Sequence, residues 1–157
     1  MILPENPVAP KPAKQPISVL VLLHDDIGNV LLLERADRKG FWQSVTGSLE
    51  MGETPFQAAL REVAEETGLI LQPEHIHDWQ HHIVYEIFPH WRHRYAVGVT
   101  HNTEHWFSVQ LPRACTIKLA PDEHTAQKWL SAAQAAEKVF SPSNRDIILQ
   151  WHQTHFA

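Results

Sequence analysis

The segment GSLEMGETPFQAALREVAEETGL, which begins at Gly47, constrains the structure of this chain more than any other. It contains signals for both ends of one short helix. Thr54 can accept hydrogen bonds from free backbone N–H groups, Pro55 suits the first helical position, and Gln57 completes a capping box. Gly68 tolerates the left-handed conformation that commonly ends a helix. The segment therefore predicts one helix between these two signals.

The two sides of this helix, which we expect to run from about residue 55 to residue 67, differ in chemistry. A helix advances about 100° per residue. On that spacing, one arc carries the side chains that would face a core, namely Phe56, Ala59, Leu60, Val63 and Thr67. Glu62, Glu65 and Glu66 fall on the side away from that arc, and Arg61 borders them. Glu62 and Glu66 are four residues apart, so their carboxylates are neighbours on the helix surface.

This dense group of carboxylates has two interpretations. The ordinary one is a solvated, charged face of an amphipathic helix. Like charges at this spacing, however, destabilise an empty helix by roughly 0.3 kcal/mol per pair. Glu50 and Glu53 add two further carboxylates in the preceding loop. A bound divalent cation would offset this charge, and hard oxygen ligands favour Mg²⁺ or Mn²⁺. The group therefore predicts a metal site that acts on a phosphate chain.

The segment resembles the signature of the Nudix hydrolase family without a departure. The matching positions are Gly47, Glu53 and the run REVAEETGL that begins at Arg61. The resemblance implies that Glu62, Glu65 and Glu66 are metal ligands. It implies that one of them, or Glu53, helps to activate water, and that Arg61 braces the carboxylates. Enzymes of this family cleave a diphosphate linkage in a nucleoside diphosphate bonded to another group, and we expect the same reaction type here.

The remainder of the chain predicts strands before and after this helix. Strand-like segments are found at residues 17–23, 30–33, 80–88, 94–99, 104–111 and 127–130. Ser131 and Gln134 form a second capping box, and residues 144–155 carry apolar side chains at helical spacing. This order of elements favours an α/β (α+β) fold. The family resemblance implies a Nudix-type α/β/α sandwich with a mixed β-sheet between helices.

The length of 157 residues suits one domain, which we place at residues 17–157. Residues 1–16 contain five prolines and little to bury, a composition typical of a mobile, extended arm. No apolar run approaches the roughly 20 residues that a membrane span needs, and the N-terminus lacks the order of a signal peptide. Cys115 is the only cysteine, which excludes internal disulfides and favours a cytoplasmic protein.

The net charge of −5 argues against binding to long nucleic acid, whose affinity comes mainly from Lys and Arg. A small phosphorylated substrate remains compatible with this charge, because its metal ion brings positive charge with it. The sequence leaves the oligomeric state open.

Three other features have both a structural and a functional interpretation. Glu123 has two interpretations. It is an exposed loop carboxylate, or it reaches back to the metal ions or the water, as an acidic residue in a late loop commonly does in the resembled enzymes. The twelve histidines invite a zinc hypothesis. Adjacent His81 and His82 would point to opposite faces of a strand, however, which favours surface or substrate-contacting roles. Trp42 and Trp106 could stack on a planar ring, although packing is the favoured interpretation for each of them.

Outside the helix segment, residues 41–47, 85–88, 93–107 and 141–145 resemble one bacterial branch of the Nudix family, which hydrolyses dihydroneopterin triphosphate. The resemblance implies that the products are dihydroneopterin monophosphate and pyrophosphate, at an early step toward folate. It implies substrate contacts from Lys14, Arg35, Thr46, Tyr85, Phe88 and Ser141. Lys14 and Arg35 suit phosphate oxygens. Thr46 and residues 85–88 suit the hydrogen-bonding edge of a pterin.

Two alternatives fit parts of the sequence. Hydrolysis of dATP or another nucleoside triphosphate is the first, because pterin and purine share a fused bicyclic shape and similar edges. A non-catalytic, Nudix-like binding module is the second. Such a module should have lost carboxylates from the helix segment, and this chain retains all of them.

Overall fold

The structure, a computed structural model, describes residues 12–156 and confirms a mixed sheet between helices. Seven strands form the sheet: β1 (Ile17–His24), β2 (Asn29–Arg35), β3 (Trp42–Gln43), β4 (Val45–Ser48), β5 (His77–Glu86), β6 (His101–Gln110) and β7 (His124–Ser131). The α-helices are α1 (Pro55–Thr67), α2 (Ala132–Lys138) and α3 (Pro142–Phe156), and short 3₁₀ helices span Pro73–His75 and Pro89–Arg94. No helix in this part of the chain is long and apolar enough to cross a membrane.

Strand β1 lies at the centre of the sheet. It pairs antiparallel with β2 and β4, and parallel with β6. Strand β7 pairs antiparallel with β2, and β5 pairs antiparallel with β6 at the other side. The parallel pair makes the sheet mixed. Parallel strands need a long connection, and the chain between β1 and β6 contains four strands and α1.

Alternate residues of β1 enter two different cores. Val19 and Val21 are fully buried on the face that packs against α1. Leu20 and Leu22 are buried on the opposite face, against α2 and α3. The strand is therefore a nearly continuous apolar run, as expected for a strand that is covered on both faces.

Helix α1 begins and ends where the sequence predicts. The backbone N–H of Gln57 donates to the Thr54 hydroxyl at 3.2 Å, and the Gln57 side chain accepts from the Thr54 N–H at 2.9 Å. Gly68 follows the helix with a φ of 74°, the left-handed conformation expected of its residue type. Both ends depend on local interactions, which explains why the sequence predicted them so closely.

The predicted strand at residues 94–99 is wrong. Arg94 closes the 3₁₀ helix Pro89–Arg94, and Val97 and Gly98 lie in the turn that leads to β6. Val97 is fully exposed, so this apolar side chain packs against no sheet face. Gly98 has a φ of 89°, which interrupts any extended run. The short strands β3 and β4 were not predicted, because neither carries enough alternation to be recognised.

Residues 1–11 of the predicted Pro-rich arm lie outside the described residues. The described end of the arm is attached to the domain by backbone hydrogen bonds. The N–H of Lys14 donates to the carbonyl of Arg94 at 2.8 Å, and the carbonyl of Pro16 accepts from Thr103 at 2.9 Å. These bonds bring Lys14 to the cleft described below.

Candidate active site

A cleft of about 1100 Å³ lies beside α1, β4 and the loop that precedes β7. Its lining includes all six residues predicted to contact substrate, Lys14, Arg35, Thr46, Tyr85, Phe88 and Ser141. Arg61, Glu62, Glu66 and Glu123 line the same cleft, whereas Glu53 and Glu65 do not. Residues distant in sequence are therefore brought together around one cavity.

The orientation expected for Glu62 and Glu66 needs correction. Both were predicted on the side of α1 away from the core, yet Glu62 is 8% exposed and Glu66 only 1%. Strand β4 covers Glu62 so closely that a Cβ added to Gly47 would overlap its carboxylate. The start of β7 covers Glu66 through His124. The absence of a side chain at Gly47 therefore permits the approach of Glu62.

Burial makes this carboxylate pair electrostatically unusual. Burial raises the pKa of Glu62 to about 7. It raises the pKa of Glu66 well above the ordinary value, and the charge of Glu62 raises it further. Oε2 of Glu66 has no hydrogen-bond partner among the described residues. Two neighbouring carboxyl groups cannot both ionise at low cost unless a cation joins them.

The surrounding donors fit a divalent metal ion. Glu66, Glu123 and His124 each offer a ligand atom, and these atoms lie within 4.8 Å of one another. Burial, followed by the charge of Arg35, lowers the pKa of His124 to about 4, so its imidazole is neutral near pH 7. Nδ1 of His124 also lacks a partner within residues 12–156. The unpartnered, buried oxygen of Glu66, beside a second carboxylate, is the kind of donor that such an ion prefers, and the neutral imidazole of His124 adds no charge to repel it.

The other histidines form no comparable group of three potential ligands within residues 12–156. His81 packs on Trp106 with ring centroids 4.8 Å apart, whereas His82 packs on His105 at 5.3 Å. Because Trp106 and His105 are consecutive in β6, the two histidines lie on opposite faces, as predicted.

Arg61 joins the carboxylates that precede and follow it. Its Nε and Nη2 atoms donate to the two oxygens of Glu53, both at 2.8 Å. Its Nη1 donates to Glu62 at 2.8 Å and to Glu65 at 3.2 Å, and Nη2 also donates to the carbonyl of Ser48. The hydrogen bonds from Arg61 lower the pKa of Glu53. This guanidinium therefore fixes the loop, β4 and α1 relative to one another.

Cationic side chains line the cleft near the carboxylates. Arg35 donates to both oxygens of Asp37 at 2.7 Å and to Gln43 at 3.1 Å. Among the described residues, three of its five N–H groups are thus engaged and two remain to donate. Lys14 and Arg94 lie in the same wall of the cleft. This cluster can bind the oxygens of a phosphate chain.

Aromatic side chains line the cleft next to the cationic ones, because the guanidinium groups of Arg35 and Arg94 lie 5.2 and 5.6 Å from the centre of the Trp91 ring. Phe88, Trp91 and Phe140 form a contiguous group, with Trp91 centred 5.6 Å from Phe88 and 5.7 Å from Phe140. Of the two tryptophans that the sequence suggests for stacking, Trp106 is 1% exposed in the core and Trp42 does not line the cleft. Trp91 was missed, because its place in a 3₁₀ turn has no motif.

Two of the side chains predicted to contact substrate form hydrogen bonds within the protein. The Thr46 hydroxyl donates to the carbonyl of Val19 at 2.9 Å, which leaves its oxygen lone pairs to accept. The Ser141 hydroxyl lies 2.9 Å from that of Ser143 at the start of α3. Both side chains are therefore held in one position at the wall of the cleft.

We expect the metal-free protein to lose stability as the pH rises. Because Glu62 and Glu66 have raised pKa values, the folded state binds more protons than the unfolded state above about pH 4.5. The contribution of Glu62 is complete below that pH and is lost as the pH passes through about 7, and that of Glu66 is lost as the pH rises through its own raised pKa. We expect a loss of about 2–3 kcal/mol between pH 5 and pH 8 in chelator. Urea unfolding at the two pH values measures it, and Mg²⁺ should restore most of the loss at pH 8. Equal stability at both values would contradict the buried charge pair.

Comparisons with known proteins agree with this site. A profile of the NUDIX domain matches residues 14–151. The chain is 49% identical over 141 residues to dihydroneopterin triphosphate diphosphatase of Escherichia coli K12, covering 88% of this chain and 93% of that protein. The enzyme of the same name from Haemophilus influenzae is 39% identical over 137 residues, covering 85% of each chain.

Solved structures lead to the same family. The E. coli dihydroneopterin triphosphate pyrophosphohydrolase superposes with a TM-score of 0.84 at 48% identity, covering 90% of this chain and 98% of that one. A C. elegans Ap4A hydrolase superposes with a TM-score of 0.66 at 18% identity, over 88% of this chain and 96% of that one, which supports the fold alone. Nudix hydrolases generally depend on a divalent metal ion, in agreement with the donor set above. The chain therefore belongs to the Nudix family of hydrolases.

Proposed function

We propose that this Nudix hydrolase converts dihydroneopterin triphosphate and water to dihydroneopterin monophosphate and pyrophosphate, with Mg²⁺ as its metal ion. One observation carries the proposal: a single cleft joins a buried carboxylate group, a cationic wall and an aromatic surface. These three parts match the metal, the phosphates and the ring of such a substrate. The 49% identity to a protein of that named activity supports the same substrate.

Glu62 and Glu66 would hold the metal ion together with Glu65, whose exposed side chain accepts a hydrogen bond from Arg61 in this structure. Mg²⁺, when bound, supplies positive charge that stabilises the charge developing on the phosphate oxygens. Mn²⁺ has similar ligand preferences. The role of Arg61 is to keep Glu53 and Glu62 in fixed positions while these ligands bind.

The proton of the attacking water needs a carboxylate acceptor. Both oxygens of Glu53 already accept hydrogen bonds from Arg61, and its pKa is lowered, so Glu53 is a weak candidate. Glu62 and Glu66 form the buried pair assigned to the metal ion. Glu123 is exposed, lines the cleft and lies close to Glu66. We therefore assign proton acceptance to Glu123.

Lys14 and Arg35 would bind the phosphates, because both line the cleft and Arg35 retains two unused N–H donors. Phe88, with Trp91, would contact the face of the ring. Thr46, Tyr85 and Ser141 would offer hydroxyl groups to its polar edge or to the side chain. A substrate fixed at both ends has its reacting phosphorus aligned with the water.

The identity of the products tests this proposal. Purified protein with Mg²⁺ and dihydroneopterin triphosphate should release pyrophosphate and dihydroneopterin monophosphate in equal amounts, with no orthophosphate before added pyrophosphatase. Chromatography of the pterins and an enzymatic pyrophosphate assay measure both. Release of orthophosphate would contradict cleavage between the α- and β-phosphates. Absence of turnover would contradict the proposal that dihydroneopterin triphosphate is the substrate.

Replacing Glu123 with Gln separates proton acceptance from metal binding. We expect turnover to fall by about 10²- to 10⁴-fold, because an amide cannot accept the proton. KM and the Mg²⁺ concentration for half-maximal activity should change much less, since Glu62 and Glu66 remain. Glu74→Gln, an equal change at an exposed position outside the cleft, is the control. A Glu123→Gln enzyme with near-normal turnover would remove this assignment.

A further inference from the structure

Glu104 is a buried acidic residue of the cleft that the proposed hydrolysis does not use. Its side chain is 4% exposed, and it lines the cavity from strand β6. Its Oε1 accepts a hydrogen bond from the indole N–H of Trp106 at 3.1 Å. The hydroxyl of Ser143 lies close enough to lower the pKa of this carboxyl group. The indole N–H therefore holds one oxygen of the carboxylate in place.

No cationic side chain pairs with Glu104 within residues 12–156. The other buried carboxylates in this part of the chain each have a partner or an assigned role. Asp25 accepts two backbone N–H bonds in the β1–β2 turn, Glu62 pairs with Arg61, and Glu66 is assigned to the metal ion. Burying a carboxylate without a cation is costly. Burial accordingly raises the pKa of Glu104. A carboxyl group with this environment in a cleft is a candidate for ligand binding.

The position of Glu104 matches the ring end of the substrate. Glu104 pairs with Ser18 of β1, which in turn pairs with Ser48 of β4. Two strand spacings, about 10 Å, therefore separate Glu104 from the strand that contacts Glu62. The phosphates are assigned to the Glu62 end of the cleft, so the ring lies toward Glu104.

The hydroxyl groups beside Glu104 are also held in place. The side-chain amide of Asn102 donates to the hydroxyl oxygens of Ser18 at 2.7 Å and of Tyr85 at 3.1 Å. Ser18 and Tyr85 line the cleft together with Glu104. Each hydroxyl that accepts from Asn102 keeps its own O–H, which can donate to a ligand or to a neighbour. The carboxylate of Glu104 is an acceptor beside these hydroxyls and suits a ligand edge that donates.

We propose that Glu104 selects the ring of the substrate by accepting two adjacent N–H groups from a 2-amino-4-oxopyrimidine edge. The pterin assignment rests on the proposed function, but guanine carries the same edge. An ionised carboxylate only accepts hydrogen bonds, and two parallel N–H groups match its two oxygens. Adenine offers one donor beside one acceptor, so one carboxylate oxygen would face a ring nitrogen. Glu104 would thus favour pterin and guanine over adenine.

Glu104→Gln tests this inference, because an amide presents one acceptor and one donor and matches adenine better. The measurement is kcat/KM with Mg²⁺ for dihydroneopterin triphosphate, dGTP and dATP. For the first two substrates we expect a fall of about 10- to 100-fold, with dATP unchanged or improved. Glu137→Gln, on the exposed surface of α2 and outside the cleft, should leave all three values unchanged.

Two outcomes would overturn the inference. An equal loss on all three substrates would mean that Glu104 only supports the structure, and an unchanged ratio would mean that it does not contact the ring. Calorimetry with the α,β-methylene analogues of dGTP and dATP, whose α–β bond resists hydrolysis, measures the ratio of the two Kd values and so tests the preference for guanine without turnover. The proposed substrate would be rejected if wild-type protein did not hydrolyse dihydroneopterin triphosphate. The ring-binding role of Glu104 would still stand if wild-type protein bound the guanine analogue more tightly and Glu104→Gln abolished that preference.

Discussion

Replacing Glu66 with Gln should lower turnover by about 10³-fold or more, because several kcal/mol of transition-state stabilisation depend on the metal ion. The change preserves the size of a side chain that is only 1% exposed, so the fold should remain intact. Steady-state kinetics at saturating substrate measures the loss. Circular dichroism and thermal unfolding show whether the variant is folded.

The same variant has a second expected property. An amide at position 66 cannot ionise, so the metal-free variant should keep only the pH-dependent loss of stability that Glu62 contributes. Mg²⁺ should also raise its melting temperature less than that of wild type. Glu137→Gln should match wild type in every measurement. Near-normal turnover in a folded Glu66→Gln protein would remove the metal assignment.

Arg61→Ala should cause the largest loss of stability among single changes in the site. It would leave the partly buried carboxylates of Glu53 and Glu62 without the guanidinium that now binds them at 2.8 Å. We expect a loss of about 2–4 kcal/mol at pH 7, less than for a fully buried pair because the Arg61 side chain is 21% exposed. Urea unfolding measures this loss.

Activity of the Arg61→Ala enzyme should fall as well, by about 100-fold, because Glu62 and the loop that carries Glu53 lose their fixed positions. Arg113→Ala is the matched control, since Arg113 forms an exposed pair with Asp26 outside the cleft. The control should unfold at the wild-type urea concentration. Wild-type stability in Arg61→Ala would contradict a bracing role, whatever its activity.

The sequence predicted local features well and tertiary ones poorly. Helix α1 begins after Thr54 and ends before Gly68 because its caps are short-range interactions that the sequence contains in full. Burial of Glu62 and Glu66 could not be predicted from the helix pattern, since the covering surface comes from β4 and the start of β7. Propensity and periodicity contain no information about that second surface.

The composition of the cleft depended on the family resemblance. Periodicity has no means to bring Lys14 and Ser141 to one cavity, and the resemblance nominated both. Glu104 was missed, although a signal existed. It shares strand parity with Asn102 and Trp106, which are both buried, so a charged side chain on an inward face could have been noticed.

The most direct test of the proposed function is a comparison of kcat/KM for dihydroneopterin triphosphate and dATP, measured with purified protein and Mg²⁺ at one pH and ionic strength. The proposal predicts a clear preference for the pterin, with pyrophosphate as the released product. An equal or higher kcat/KM for dATP would contradict it, even though the Nudix chemistry at Glu62 and Glu66 would remain.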